Sequence, residues 1–218
     1  MRRATIRPGA VATSRGGVFA RIGRVARTVI TATVLGGCAH GQSGAPLAAG
    51  ESSMLVVIVR HAEKAPAPAN DPVLSDAGMA RARSLDSLLR TLRISDVVVS
   101  HLQRTRMTAD PFIARTHAAV HVVPIGAAGV AEHVQAVADT VRAIAGEAGH
   151  GVLVVGHSNT VTAIVQALGG PSTPALCDSQ YSQVFTLRGQ GTGVTLTRNA
   201  YGAADPADAS CTTTMGKP

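Results

Sequence analysis

Three short apolar runs constrain the fold of this chain more than any other feature of its sequence. They are rich in valine, which is typical of strands buried on both faces of a sheet, and they occupy residues 54–59, 97–99 and 152–155. Basic side chains follow all three runs: His61, Arg104 and His157. Ligands of open α/β sheets bind beyond the carboxyl ends of the strands. Two imidazoles and a guanidinium at that edge therefore indicate a site for an anionic group, with phosphate as the leading candidate.

Apolar residues at helical spacing separate the predicted strands. Helices are predicted after Ser75 and at about 102–115, 134–145 and 161–168, and further strands at 119–123, 182–188 and 193–198. Strands that alternate with helices predict a three-layer α/β sandwich, with a mainly parallel central sheet and helices on both faces. The last two strands predict an antiparallel edge. A chain of 218 residues, 45% of them hydrophobic, suffices for one such domain, predicted at 54–200 with a tail at 201–218.

The formal net charge of +7 comes from the beginning of the chain. Seven arginines and no acidic residue precede residue 38, and the remainder holds 13 basic and 13 acidic residues. Binding to a nucleic acid backbone requires clustered Lys and Arg. A formally neutral domain without such a cluster therefore predicts no nucleic acid partner.

The first 37 residues have the layout of a secretory signal. The arginines precede an apolar run at 29–35, which is too short to span a bilayer as a helix. This run ends in Leu-Gly-Gly followed by Cys38, which resembles a bacterial lipobox and predicts lipidation of Cys38 after removal of a signal peptide at 1–37. A Gly-, Ala- and Ser-rich tether follows at 38–53. We expect an exported lipoprotein anchored to a membrane, facing the periplasm; an ordinary signal with an incidental cysteine is the alternative.

The two remaining cysteines are Cys177 and Cys211. An even number of cysteines in an exported protein favours a disulfide bond, which would attach the C-terminal tail to the loop after the fourth helix. Two unpaired thiols are the alternative.

Four short motifs follow one another along the chain. They are Val59-Arg60-His61-Ala62-Glu63-Lys64; Leu74-Ser75-Asp76-Ala77-Gly78 with Arg81-Ala82; Ser100-His101-Leu102-Gln103-Arg104-Thr105 with Thr108-Ala109; and Gly156-His157-Ser158-Asn159. Their order and separation resemble the histidine phosphatase superfamily, which includes the phosphoglycerate mutases, over about residues 54–170.

The resemblance implies a role for each basic residue of the predicted site. His61 is the nucleophile that accepts the phosphoryl group, a role suited to an imidazole because its neutral form is nucleophilic near pH 7. Arg60 and Arg104 bind the phosphoryl oxygens through their planar forks of N–H donors. His157 contacts the same oxygens. Asn159 either donates to the phosphate or only caps the following helix.

The proton donor for the leaving group is the weakest part of the pattern. Many members of the superfamily supply a carboxylic acid from the segment after the third strand, and Glu132 is the only carboxylate of that segment here. Glu132 could equally be a first-turn helix residue favoured by the helix dipole. Another branch has an aspartate directly after the second histidine, where this chain has Ser158, and Glu63 is a further residue that could lie near the site.

The function implied is hydrolysis of phosphomonoesters through a phosphohistidine on His61. One alternative is a lipoprotein that binds phosphate esters with little or no turnover. Another is a phosphotransferase like the phosphoglycerate mutases, which is disfavoured by the short segment between Pro124 and Glu132 and by export. We expect a small phosphorylated substrate and neither a metal nor an organic cofactor. The sequence indicates neither the physiological substrate nor an oligomeric state.

Overall fold

In a computed structural model of the chain, residues 54–145, 151–189 and 193–206 are described. The predicted signal peptide at 1–37, the tether at 38–53 and Cys38 lie outside these residues, as does the tail from residue 207 with Cys211. All described residues belong to the unit formed by residues 45–218.

The described residues form one six-stranded sheet. Its strands are β1 (Met54–Arg60), β2 (Asp96–Val99), β3 (Ala119–Val122), β4 (Gly151–Gly156), β5 (Gln183–Gly189) and β6 (Thr195–Ala200). Their order across the sheet is β3-β2-β4-β1-β5-β6. The first four of these are parallel, whereas β5 is antiparallel to β1 and β6 is antiparallel to β5. The predicted mainly parallel sheet with an antiparallel edge is therefore confirmed.

Helices cover both faces of this sheet. They are α1 (Asp76–Leu88), which continues into a short 3-10 turn, α2 (Gln103–Thr116), α3 (Val130–Ala145) and α4 (Val161–Ala167). Side chains of β1 alternate between the two faces, so that Val56 and Ile58 pack with α3 and α4, while Val57 and Val59 pack with α1 and α2. Burial on both faces explains why β1 is continuously apolar. The three-layer sandwich predicted from the sequence is confirmed.

The start of α1 fixes the loop that follows β1. Ser75 caps the helix by accepting a hydrogen bond from the backbone N–H of Gly78. A side chain at position 78 would clash with the carbonyl oxygen of Glu63, so the glycine permits this close approach. Arg81, one turn further along, binds both carboxylate oxygens of Glu63. The loop after the predicted nucleophile is thus held by a helix cap and an ion pair.

No helix in the described part of the chain is both long enough and apolar enough to cross a membrane.

Candidate active site

A cavity of about 390 Å³ lies at the carboxyl ends of β1 and β4. Parallel pairing aligns Arg60 with Gly156, so the next residue of each strand, His61 and His157, reaches the same edge. Both histidines line the cavity, together with Arg60, Arg104, Asn159, Lys64, Ile125, Val130, Ser158, Asp178 and Tyr181. The structure therefore brings together the two histidines, the two arginines and the asparagine expected at the site.

His61 is held in one orientation by a neighbouring backbone carbonyl. Its Nδ1 lies 2.8 Å from the carbonyl oxygen of Ala62, and because a carbonyl only accepts, Nδ1 must carry the proton. Burial lowers the pKa of His61 well below the usual value for histidine, and the nearby His157, Arg60 and Arg104 lower it further. The ring is therefore neutral at pH 7, with its lone pair on Nε2, which is the form that a nucleophile requires.

His157 packs against His61 at 5.3 Å between ring centroids, with the ring planes at 60°. Its Nε2 lies 3.0 Å from Oγ of Ser100, the residue directly after β2. Burial, followed by the charge of Arg104, lowers the pKa of His157 to about 3. His157 is thus a second neutral imidazole at pH 7, and Ser100 orients it. Ser100 lies within the motif Ser100 to Thr105, but nothing in that motif indicates this contact.

Arg60 is both a cavity residue and the anchor of a distant loop. Its Nη1 donates to the carbonyl oxygens of Cys177, Asp178 and Gln180 at 3.0, 2.8 and 3.1 Å. Its guanidinium carbon lies 4.0 Å from the centre of the Tyr181 ring, within the range of a cation–π contact. No motif in the sequence marks this loop as part of the site. Tyr181 is one of only two tyrosines in an aromatic-poor chain, and that rarity is the signal the sequence offers.

The same loop is held from the other side by the C-terminal segment. One carboxylate oxygen of Asp205 accepts from the backbone N–H groups of Tyr181 and Ser182, at 2.8 and 2.9 Å. The other oxygen accepts from the Ser182 hydroxyl at 2.6 Å. Cys177 is disulfide-bonded, and because its predicted partner Cys211 lies outside the described residues, that pairing stays a prediction.

Arg104 extends from the first turn of α2. Its Nη1 lies 3.8 Å from Oδ1 of Asp71, and the same carboxylate accepts from the backbone N–H of Gln103. Asp71 therefore caps α2 and also holds Arg104 in place. No motif in the sequence marks either role of Asp71. The Nε atoms of Arg104 and Arg60 are buried without a hydrogen-bond partner among the described residues. Two buried donors left unpaired are costly, so the arrangement favours an acceptor-rich anion in the cavity.

Two predicted site residues are clarified by their positions on helices. Thr160, not Asn159, is the N-cap residue of α4, and Asn159 instead lines the cavity.

Glu132 is exposed in the first turn of α3 and does not line the cavity, so the structure does not bring it to the other predicted residues. Asp178 is the one carboxylate residue among the described residues that line it. Glu63, the other carboxylate considered, is paired with Arg81 outside the cavity lining.

Within the described ranges, no group of three or more His, Cys, Asp or Glu side chains is arranged to hold a metal ion. The chemistry that these residues support is capture of a tetrahedral oxyanion by two guanidiniums beside a neutral imidazole.

Part of the sequence and the fold resemble those of known proteins. Residues 56–126 match the family model of the histidine phosphatase superfamily (branch 1), a segment that contains His61 and Arg104. The protein histidine phosphatase SixA complexed with tungstate is 22% identical, with a TM-score of 0.55 over 67% of this chain and 97% of that one. The alpha-ribazole phosphatase from Shigella flexneri is 15% identical, with a TM-score of 0.53 over 70% of this chain and 100% of that one.

No curated protein is similar enough in sequence to match this chain. The family match covers residues 56–126, and the solved structures share the fold of the described domain.

Proposed function

We propose that this protein is a phosphomonoester hydrolase that acts through a phosphohistidine intermediate on His61. The observation that carries the proposal is the environment of this ring, which is a neutral imidazole with a fixed tautomer. Next to it lie two guanidiniums whose buried Nε atoms have no hydrogen-bond acceptor among the described residues. The solved structures named above are phosphatases, which agrees with hydrolysis as the reaction.

The reaction proceeds in two displacements at phosphorus. Nε2 of His61 attacks the phosphorus atom, a bond forms between them, and the ester P–O bond breaks with its electron pair going to the leaving oxygen, which takes up a proton. Water then attacks the phosphohistidine, loses a proton, and releases inorganic phosphate and the free imidazole. Covalent capture divides one difficult step into two easier ones.

Arg60, Arg104 and His157 stabilise the charge that spreads over the three transferring oxygens. Phosphoryl transfer depends mainly on positioning and on electrostatic stabilisation. The two guanidiniums meet both needs, because they are charged at pH 7 and held by fixed partners before the substrate arrives. Asn159 contributes an amide donor at the mouth of the same cavity.

We assign the proton donor for the leaving group to Asp178 in place of Glu132. Asp178 lines the cavity, and its Oδ1 accepts from the Ser158 hydroxyl at 3.3 Å and lies 3.9 Å from Nη2 of Arg60. Its side chain is 40% exposed, so it exchanges protons with solvent between the two half-reactions. It gives a proton to the leaving oxygen in the first step and takes one from the attacking water in the second.

The substitution Asp178→Asn tests this assignment through the leaving group. We expect kcat/KM to fall by about 10²-fold for an alkyl phosphate, whose alkoxide needs a proton, and by less than about threefold for 4-nitrophenyl phosphate, whose phenolate leaves unaided. The measurement is release of inorganic phosphate from both esters. Glu132→Gln is the matched control and should leave both rates unchanged. If Glu132→Gln slows the alkyl ester and Asp178→Asn does not, the assignment is wrong.

The function itself is tested by turnover and by oxyanion inhibition of the full chain. We expect steady release of inorganic phosphate from phosphomonoesters. We also expect competitive inhibition by vanadate or tungstate, because both ions resemble the phosphoryl group during its transfer. Binding of these ions without turnover would identify a phosphate-ester-binding lipoprotein instead. Failure to bind them would contradict the anion site altogether.

We also propose that the protein is exported and attached to a membrane through lipidated Cys38. The arginine-rich start, the short apolar run and the lipobox-like Leu-Gly-Gly-Cys support this, although all lie outside the described residues. The disulfide bond of Cys177 supports export independently, since such bonds persist in oxidising compartments.

A further inference from the structure

A second cavity adjoins the candidate active site and has a different character. It is a groove of about 790 Å³ between α3 and α4, within the size range of pockets that hold small molecules. Val134, Ala163 and Ala167 form its floor and pack against the hydrophobic core, and the amide side chains of Gln135 and Gln166 stand at its sides. No charged side chain lines the groove among the described residues.

The groove and the candidate active site share part of their lining. Val130, at the start of α3, and Asn159, just before α4, line both of them. From this shared end the groove follows α4 as far as Ala167, a distance of about 10 Å for the seven residues of this helix. At Ala167 the guanidinium of Arg142 on α3 donates to the backbone carbonyl and joins the two helices. A molecule bound at the arginines can therefore extend into the groove in one direction.

The contrast in lining indicates what that molecule is. The cavity around His61 presents guanidiniums and imidazoles, which suit a phosphoryl group, whereas the groove presents aliphatic side chains and three amides. A second phosphate, a carboxylate or an ammonium group would lose its hydration there without gaining an opposite charge. An aliphatic or aromatic body with at most a few neutral polar atoms would bury apolar surface.

We propose that the groove binds the leaving group of the substrate, and that the substrates are monophosphate esters of uncharged, mainly apolar alcohols. This inference rests on the proposed function, because the phosphoryl group must lie beside His61 for its alcohol to enter the groove. Affinity then comes from the length of the apolar body, and discrimination against doubly charged esters comes from the lack of any countercharge in the lining.

Alkylphosphonates test the groove without requiring turnover. They keep the phosphoryl anion but cannot be hydrolysed, so calorimetric titration of the full chain with the ethyl to octyl series measures binding alone. We expect Kd to fall about three- to fourfold for each methylene until the chain fills the groove. An affinity independent of chain length would overturn the proposal.

Two variants locate the effect. Ala163→Phe fills the floor of the groove, and Ala131→Asp places a charge at an exposed lining position where folding is not at risk. Each should raise the Kd of octylphosphonate at least tenfold and leave that of ethylphosphonate within twofold. Ala136→Phe, at an exposed position of α3 outside the lining, is the matched control and should change neither. Equal losses for both phosphonates would place the alkyl chain elsewhere and overturn the inference.

Hydrolysis of the corresponding alkyl phosphates separates the two proposals. Length-dependent phosphonate binding with no release of phosphate supports the groove and overturns the proposed phosphatase activity. If neither the hydrolysis rate of the alkyl phosphates nor the Kd of the alkylphosphonates depends on chain length, the phosphatase activity is supported and the proposal for the groove is wrong.

Discussion

The substitution His61→Ala is expected to lower kcat/KM for any phosphomonoester by about 10⁴-fold or more, because it removes the atom that forms the covalent bond to phosphorus. The remaining guanidiniums still bind the anion, so competitive binding of vanadate should persist within about tenfold. With a ³²P-labelled substrate quenched during turnover, the wild-type chain should carry a label that is stable to alkali and lost in acid. The variant should carry none.

A histidine outside the cavity provides the control for this experiment. His117 is exposed at the end of α2 and has a positive φ of 56°, a conformation that asparagine also tolerates. His117→Asn should therefore keep both the turnover and the label. If His61→Ala still becomes labelled at an undiminished rate, another residue is the nucleophile and the proposed mechanism is wrong.

Lysine substitutions at the two arginines should have similar effects on catalysis and different effects on stability. Arg60→Lys and Arg104→Lys each replace a planar fork by a point charge, and we expect each to lower kcat/KM by about 10²- to 10³-fold. Arg60 also satisfies three backbone carbonyls in a buried environment, so Arg60→Lys should lower the free energy of unfolding by about 2–4 kcal/mol. Arg104 is held by one partly exposed carboxylate at 3.8 Å, and its loss should cost less than about 1 kcal/mol.

Urea denaturation measures the stability difference, and phosphate release measures the catalytic one. Arg106→Lys is a suitable control, because Arg106 lies on the exposed side of α2 and pairs with Asp110 away from the cavity. Should Arg104→Lys destabilise the protein as much as Arg60→Lys, the anchoring role assigned to Arg60 would be contradicted.

The sheet could be predicted from the sequence because its central strands are too short and too uniformly apolar to be read as helices. β1 and β4 contain uninterrupted apolar runs of six and four residues, the first ending at Arg60 and the second lying between two glycines, and such runs are too short for helices. Parallel pairing then brings the residues after these strands to one edge, so His61 and His157 could be placed together before any coordinates. Arg104 follows the end of β2 by five residues, so it could be placed at the same edge of the sheet.

Glu132 occupies the first turn of α3, which is one of the two positions that the sequence allowed for it. The buried residues of α3 include Val134, Val137, Ala138 and Val141, and Glu132 lies two residues before the first of these. Two residues correspond to about 200° around an α-helix, so this side chain faces away from the core. The helical period of the sequence therefore favours the first-turn helix role of Glu132 over a place in the cavity.

The partners of Arg60 could not have been foreseen in this way. The carbonyl groups it binds are 117 to 120 residues away in the chain and belong to a loop without periodic structure. Backbone carbonyls carry no residue identity, so no motif marks them. Ser100 and Asp71 likewise act through single hydrogen bonds or ion pairs, and their geometry depends on the packed sheet and helices.

The hydrogen bonds of Asp205 make the anion site depend on a segment that does not line it. The carboxylate of Asp205 holds the loop that carries Tyr181 and the carbonyl partners of Arg60. Asp205 itself lies outside the cavity lining. A change confined to the chain beyond β6 can therefore disturb the position of Arg60 without altering any residue of the cavity.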